Sequence, residues 1–202
     1  IWIPGSVSFN ESLANTLGHL GAIQFFRERY PESSWVRDAE ADWEDEKEFA
    51  RFIEGVYEKL DALYSKSKQD GLGEDQILES RERIIDRSIQ EWNSLRTTFK
   101  SPGMQKLELQ LNNAVIIGYR LYLDRLELFE QFLNQHRTSA GALDLPAALA
   151  ALKKIADEAK NNKDPFALLT ACAGTRTGTS TGNCVDPSKI AEPIPIIEPV
   201  AN

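Results

Sequence analysis

Histidine is nearly absent from this chain: its 202 residues contain two, His19 and His136. They stand far apart, and neither belongs to an H-E-x-x-H pattern. No catalytic zinc site of a recognised spacing can therefore be assembled from this chain alone. Cysteine is equally scarce, with Cys172 and Cys184 both towards the C-terminal end. Neither forms a metal-type cluster with a histidine. The pair reads either as a local disulfide closing a Gly/Thr/Ser-rich loop, which suits an exported protein, or as two free thiols. Basic residues are outnumbered, 23 Lys and Arg against 31 Asp and Glu, for a formal charge of -8. That balance argues against nucleic acid and against anionic membranes as partners. No apolar run approaches the roughly 20 residues that a spanning helix needs. There is no Ser-His-Asp or Cys-His constellation and no glycine loop for phosphate. No signal peptide is recognisable, and the first residue is Ile1 rather than Met. Targeting information is therefore expected upstream, if anywhere.

What is present is helical periodicity. Residues 1–8 read as extended, with a turn at Pro4-Gly5. A first helix is expected from about Phe9 to Glu28, with Leu13, Leu17, Leu20 and Phe25 at helical spacing and a stop at Tyr30-Pro31. A second, about 34–66, carries Phe49, Phe52, Ile53, Val56, Leu60, Leu63 and Tyr64 as an apolar stripe. Its acidic start, Asp38 to Glu48, reads as a solvated face that suits the helix dipole. After a break at Asp70-Gly71-Leu72-Gly73, a third helix is expected at about 74–99, antiparallel to the second. A fourth is expected as one continuous helix at about 105–135. Asp144 as N-cap and Pro146 at the first position open a fifth, to about 160. Asp164-Pro165 begins a short turn of helix to Ala171. The fold class that follows is mostly α: an irregular helical bundle with a long helical hairpin, occupying 1–171. Residues 172–202 form a Gly/Thr- and Pro-rich tail, extended through Glu192 to Pro199.

The densest local signal is Ser8-Phe9-Asn10-Glu11-Ser12-Leu13-Ala14, followed by Gly18 and Gly21. Ser8 and Glu11 fit the capping-box pattern, so local chemistry gives Glu11 a role in starting the helix. A second reading comes from resemblance. The stretch resembles the segment just after the H-E-x-x-H helix in a family of bacterial predicted zinc aminopeptidases of the gluzincin type, with F-N-E-S-x-A and then G-x-x-G. Ile1-Trp2-Ile3-Pro4-Gly5 matches the hydrophobic stretch before it. Far downstream, Leu111-Asn112-Asn113-Ala114, then Tyr122 and Phe129, matches that family's L-N-N-A with Tyr and Phe at the same intervals. The resemblance covers about residues 1–170. His19 stands where the family often has an acidic residue.

The resemblance implies a division of roles. Glu11 would be the third zinc ligand, and Asn10 would orient it or sit just behind the ligands without touching the metal. Tyr122 would donate a hydrogen bond to the tetrahedral oxyanion. Asn112 and Asn113 would bind substrate backbone or the peptide amine. Zinc would be the cofactor of the intact enzyme, with none expected in this chain alone. Its partners would be a peptide substrate and a missing N-terminal segment carrying H-E-x-x-H. The chain would then be the C-terminal part of a metallopeptidase, inactive by itself, exported to the periplasm or cell surface. The competing expectation is a non-catalytic helical module that binds a partner protein. Taken by spacing alone, Tyr122 falls on an apolar stripe, and Trp35, Trp43 and Trp92 read as packing residues.

Overall fold

The computed structural model describes residues 1–161 and 163–173. Eight α-helices are found among them: α1 (Val7–Arg29), α2 (Trp35–Asp70), α3 (Glu74–Leu95), α4 (Pro102–Lys106), α5 (Asn113–Leu123), α6 (Leu126–Asn134), α7 (Leu145–Ala159) and α8 (Pro165–Ala173). The one β feature among the described residues is an isolated bridge between Arg137 and Leu143. The all-α expectation holds. No helix among the described residues is long and apolar enough to cross a membrane. The described residues form two compact units, one of residues 11–127 and one of residues 1–10 with 128–161 and 163–173.

The 11–127 unit is built on the α2–α3 hairpin. Gly71 ends α2 in the left-handed region, φ 64°, and its N–H returns to the Ser67 carbonyl. That conformation is cheap only for glycine, which is why the chain turns there. Phe52 and Trp92 lie equally far from Leu72, and their rings meet at 5.3 Å, so the two helices run antiparallel as expected. Trp92 is fully buried, between Phe49 at 5.1 Å and Phe99 at 5.5 Å. Its indole N–H donates to the Leu107 carbonyl at 2.9 Å. Ile53, Val56, Leu60, Ile85 and Ile116 complete this core.

The acidic start of α2 is not the uniformly solvated face that its composition implies. Asp45 is buried. Its carboxylate accepts the Lys100 N–H at 2.9 Å and the Ser101 N–H at 2.6 Å, anchoring the chain between α3 and α4. The expected continuous fourth helix is also corrected: it is three helices. Leu107 is extended, φ -66° and ψ 118°, and its carbonyl turns to the Trp92 indole and Arg96 rather than along a helix axis. Asn112 is extended, φ -152° and ψ 172°, and its side chain accepts the Val115 N–H, starting α5 afresh. Asparagine competes with the helix for its own backbone in this way. At the far end Arg125 adopts φ 53°, which separates α5 from α6.

In the other unit, Phe9, Phe129 and Phe166 form a three-ring cluster with centroids 5.0, 5.1 and 5.8 Å apart. Leu133, Leu152 and Leu169 are buried with them. Asp144 caps α7 as expected, accepting the Ala147 N–H at 3.0 Å. Asp164 does the same for Phe166 ahead of α8. Cys172, on α8, is buried and disulfide-bonded. The other cysteine and the expected extended tail lie outside the described residues.

Candidate functional site

The start of α1 decides how Glu11 is read. Pro4-Gly5 forms a turn with Gly5 at φ 79°. The Ser6 N–H then donates to the Ile3 carbonyl at 3.2 Å, and the Ser6 carbonyl accepts the Asn10 N–H at 3.1 Å. That bond makes Ser6 the flanking residue and puts Ser8 inside the helix. Glu11 is consequently past the first turn, too far along for a capping box with Ser8. The local competitor for Glu11 therefore disappears. Its carboxylate is half-buried and has no hydrogen-bond or ion-pair partner among the described residues.

Asn10 is differently placed. It is buried, and its amide clasps both backbone groups of Ile3, accepting the N–H at 2.9 Å and donating to the carbonyl at 2.8 Å. Its polar atoms tie the incoming extended segment to α1.

Glu11 shares one exposed face of α1 with Ala14, Gly18, Gly21 and Phe25, at the 3- and 4-residue steps of a helix stripe. A Cβ at Gly18 or Gly21 would meet no atom within 4 Å. The flank of the same turns that carries Ser12, Asn15 and His19 docks on the end of α5. The Ser12 hydroxyl accepts the Asp124 N–H at 2.9 Å and approaches the Leu121 carbonyl at 3.5 Å. Asn15 donates to the Tyr122 carbonyl at 3.2 Å and to Glu46 at 2.9 Å. His19 pairs with the other oxygen of Glu46. Burial pushes the Glu46 carboxyl up, but the hydrogen bonds from His19 and Asn15 and the charge of His19 outweigh it, leaving its pKa below the usual value. His19 is thus occupied by a carboxylate, and its ring lies 5.1 Å from that of Trp43.

The Tyr122 side chain is 52% exposed, so it is not part of an apolar stripe. Its hydroxyl has no partner among the described residues. The turns carrying Glu11 and Tyr122 are thus neighbours. Asn112 and Asn113 lie at the other end of α5, about 14 Å from Tyr122 along the axis at 1.5 Å per residue. Asn112 is the α5 cap, while Asn113 pairs with the Tyr64 hydroxyl at 3.0 Å. Both line a shallow cleft of about 360 Å³ with Arg81, Glu82 and Ile85. No three His, Cys, Asp or Glu side chains among the described residues converge where a metal could sit.

Residues 1–166 match the family described as "Putative aminopeptidase". The chain belongs to this family. The match spans both stretches quoted above, Phe9 to Gly21 and Leu111 to Phe129. No curated protein and no solved structure matches. Ser12, Asn15 and Glu46 were invisible to sequence reading as site neighbours. Only the 4-residue spacing of Glu11, Asn15 and His19 pointed to one side of α1, and Glu46 was hidden in an acidic run.

Proposed function

We propose that this chain is the C-terminal helical part of a zinc-dependent aminopeptidase, hydrolysing peptide bonds only together with a preceding segment that carries H-E-x-x-H. The observation that carries this reading is Glu11: a half-buried, unpartnered carboxylate on a helix face whose neighbours are Ala14, Gly18 and Gly21. An uncompensated carboxylate away from full solvation is unfavourable for folding and useful to a cation. Glycines in a helix interior cost about 1 kcal/mol each relative to alanine and let another backbone come close. A face of that kind suits the helix bearing the two histidines.

The residues present do not make a zinc site by themselves: they supply one carboxylate of a set that needs two imidazoles. In this reading Glu11 is the third ligand. Asn10 acts through the chain path, holding Ile3 and so fixing where α1 begins. Tyr122, with a free hydroxyl, is the donor to the oxyanion of the substrate carbonyl. Asn112 and Asn113, at the far end of α5, receive the substrate away from the bond that is cut. Export to the periplasm or cell surface follows from the family resemblance and accords with a disulfide-bonded Cys172.

The test is metal content. The intact gene product should carry H-E-x-x-H within a few tens of residues ahead of Ile1 and bind zinc stoichiometrically. Glu11→Gln should lose most of that zinc. A protein without the motif, or zinc binding that ignores Glu11→Gln, would sink the reading. The second reading, a non-catalytic interaction module, is favoured by exposed Phe25, Tyr30 and Trp35, whose rings pack in an open cluster. It predicts no zinc in the intact protein.

A further inference from the structure

A candidate ligand on α1 and a candidate donor on α5 must keep a fixed separation, yet neither helix determines the other's position. Helix ends leave carbonyls without intrahelical partners, and glycine caps or water commonly satisfy them. The end of α5 has neither glycine nor a Schellman turn. It is held by side chains of α1. Asn15 Nδ2 stands between two acceptors, the Tyr122 carbonyl at 3.2 Å and Glu46 Oε1 at 2.9 Å, and so its amide orientation is determined. Glu46 is itself held by His19, which lies against Trp43. Ser12 secures the next amide along, that of Asp124.

We propose that Asn15, oriented by Glu46 and His19, is a positioning residue that holds the Tyr122 backbone against α1 and so sets where the Tyr122 phenol lies relative to Glu11. The proposal rests on the roles given above to Glu11 and Tyr122. Asn15 is half-buried, so losing its bond exposes the Tyr122 carbonyl to water rather than stranding it in the core. The consequence falls on geometry more than on folding. A misplacement of about 1 Å can lower a rate about a hundredfold.

Asn15→Asp keeps the shape, removes both donated bonds and sets a carboxylate against Glu46. In the intact protein we expect kcat for peptide hydrolysis to fall about ten- to a hundredfold, with KM changed less than about twofold. Zinc content should be unchanged, and hydrogen exchange should be faster at the amides of residues 123–126. Adding Glu46→Gln to Asn15→Asp rebuilds a bond between those two positions but not the one to Tyr122. Thermal stability should recover and kcat should not. If kcat recovers with stability, or exchange at 123–126 does not change, the inference is overturned. If Tyr122→Phe lowers kcat while Asn15→Asp leaves it intact, the inference falls and the role of Tyr122 stands. If Tyr122→Phe has no effect, the role of Tyr122 fails and the inference with it.

Discussion

The two faces of α1 within residues 11–29 are built by opposite rules. The inward face carries Leu13, Leu20 and Ile23, each at most 5% exposed, and fully buried Ser12 and Thr16. The Thr16 hydroxyl donates to the Ser12 carbonyl at 2.9 Å, and Ser12 in turn holds the end of α5. Every group there has a partner. The outward face carries Glu11, Ala14, Gly18 and Gly21, with a carboxylate unpaired among the described residues and two glycines at which a Cβ would meet no atom within 4 Å. Folding of the described residues explains the first face completely. It gives no reason for the second, where alanine would be the better helix former at both glycines. Residues that fail to serve the fold are where function is sought.

The contrast can be broken most forcibly from the inside. Leu20→Ala should destabilise the chain by about 2–4 kcal/mol, read by denaturant melts, because it leaves a cavity in a packed core. Asp45→Ala should cost about 2–3 kcal/mol by the same measurement, since it strands the buried Lys100 and Ser101 amides. On the outward face the sign should reverse: Gly21→Ala should stabilise the chain by about 0.5–1 kcal/mol. In the intact protein the same substitution should weaken zinc retention. Stabilisation with full zinc retention would leave the glycines without the role proposed for them. Smallest of all, Glu11→Gln should move chain stability by less than about 0.5 kcal/mol, as for a surface site outside any cap. A loss above about 1 kcal/mol would restore the capping reading.

Acid sharpens the comparison between the two units. Burial lowers the His136 pKa, and nearby Asp144 only partly opposes it. A histidine whose folded pKa is depressed stabilises the fold in its neutral form. That stability is complete above about 6.5 and declines as pH falls from there through the folded pKa. The Glu46 carboxyl is also depressed, so its contribution is complete above about 4.5 and declines as pH falls further. Two steps are expected in melting temperature against pH. His136→Gln should flatten the upper one and Glu46→Gln the lower.

Much of the architecture was legible in the chain. The α2 stripe from Phe49 to Leu60 is periodic, Gly71 breaks it where only glycine turns cheaply, and Asp144 caps α7 as its position promised. The splitting of 105–135 was not legible. It depends on Leu107 turning extended with its carbonyl facing Trp92 and Arg96, 15 and 11 residues earlier in the chain, a placement that no local pattern announces. The site divides similarly. Motif resemblance put forward Glu11, Tyr122, Asn112 and Asn113 together, but Asn112 and Asn113 lie at the opposite end of α5 from Tyr122. Ser12 stood in the quoted motif with no role of its own, and Asn15 and Glu46 were not singled out, because each acts through a partner about 30 to 110 residues away in the chain.

The sequence by itself determined that the chain is helical, that neither of its two histidines belongs to an H-E-x-x-H pattern, and that Glu11 stands in a recognisable motif. These depend on composition and local periodicity, which the chain carries at every position. Only the tertiary structure decided that Glu11 is not a capping residue. It also decided that Asp45 is a buried anchor and that the α5 end rests on α1. The physical reason is that a carboxylate or amide takes its role from the donors and acceptors that folding sets beside it.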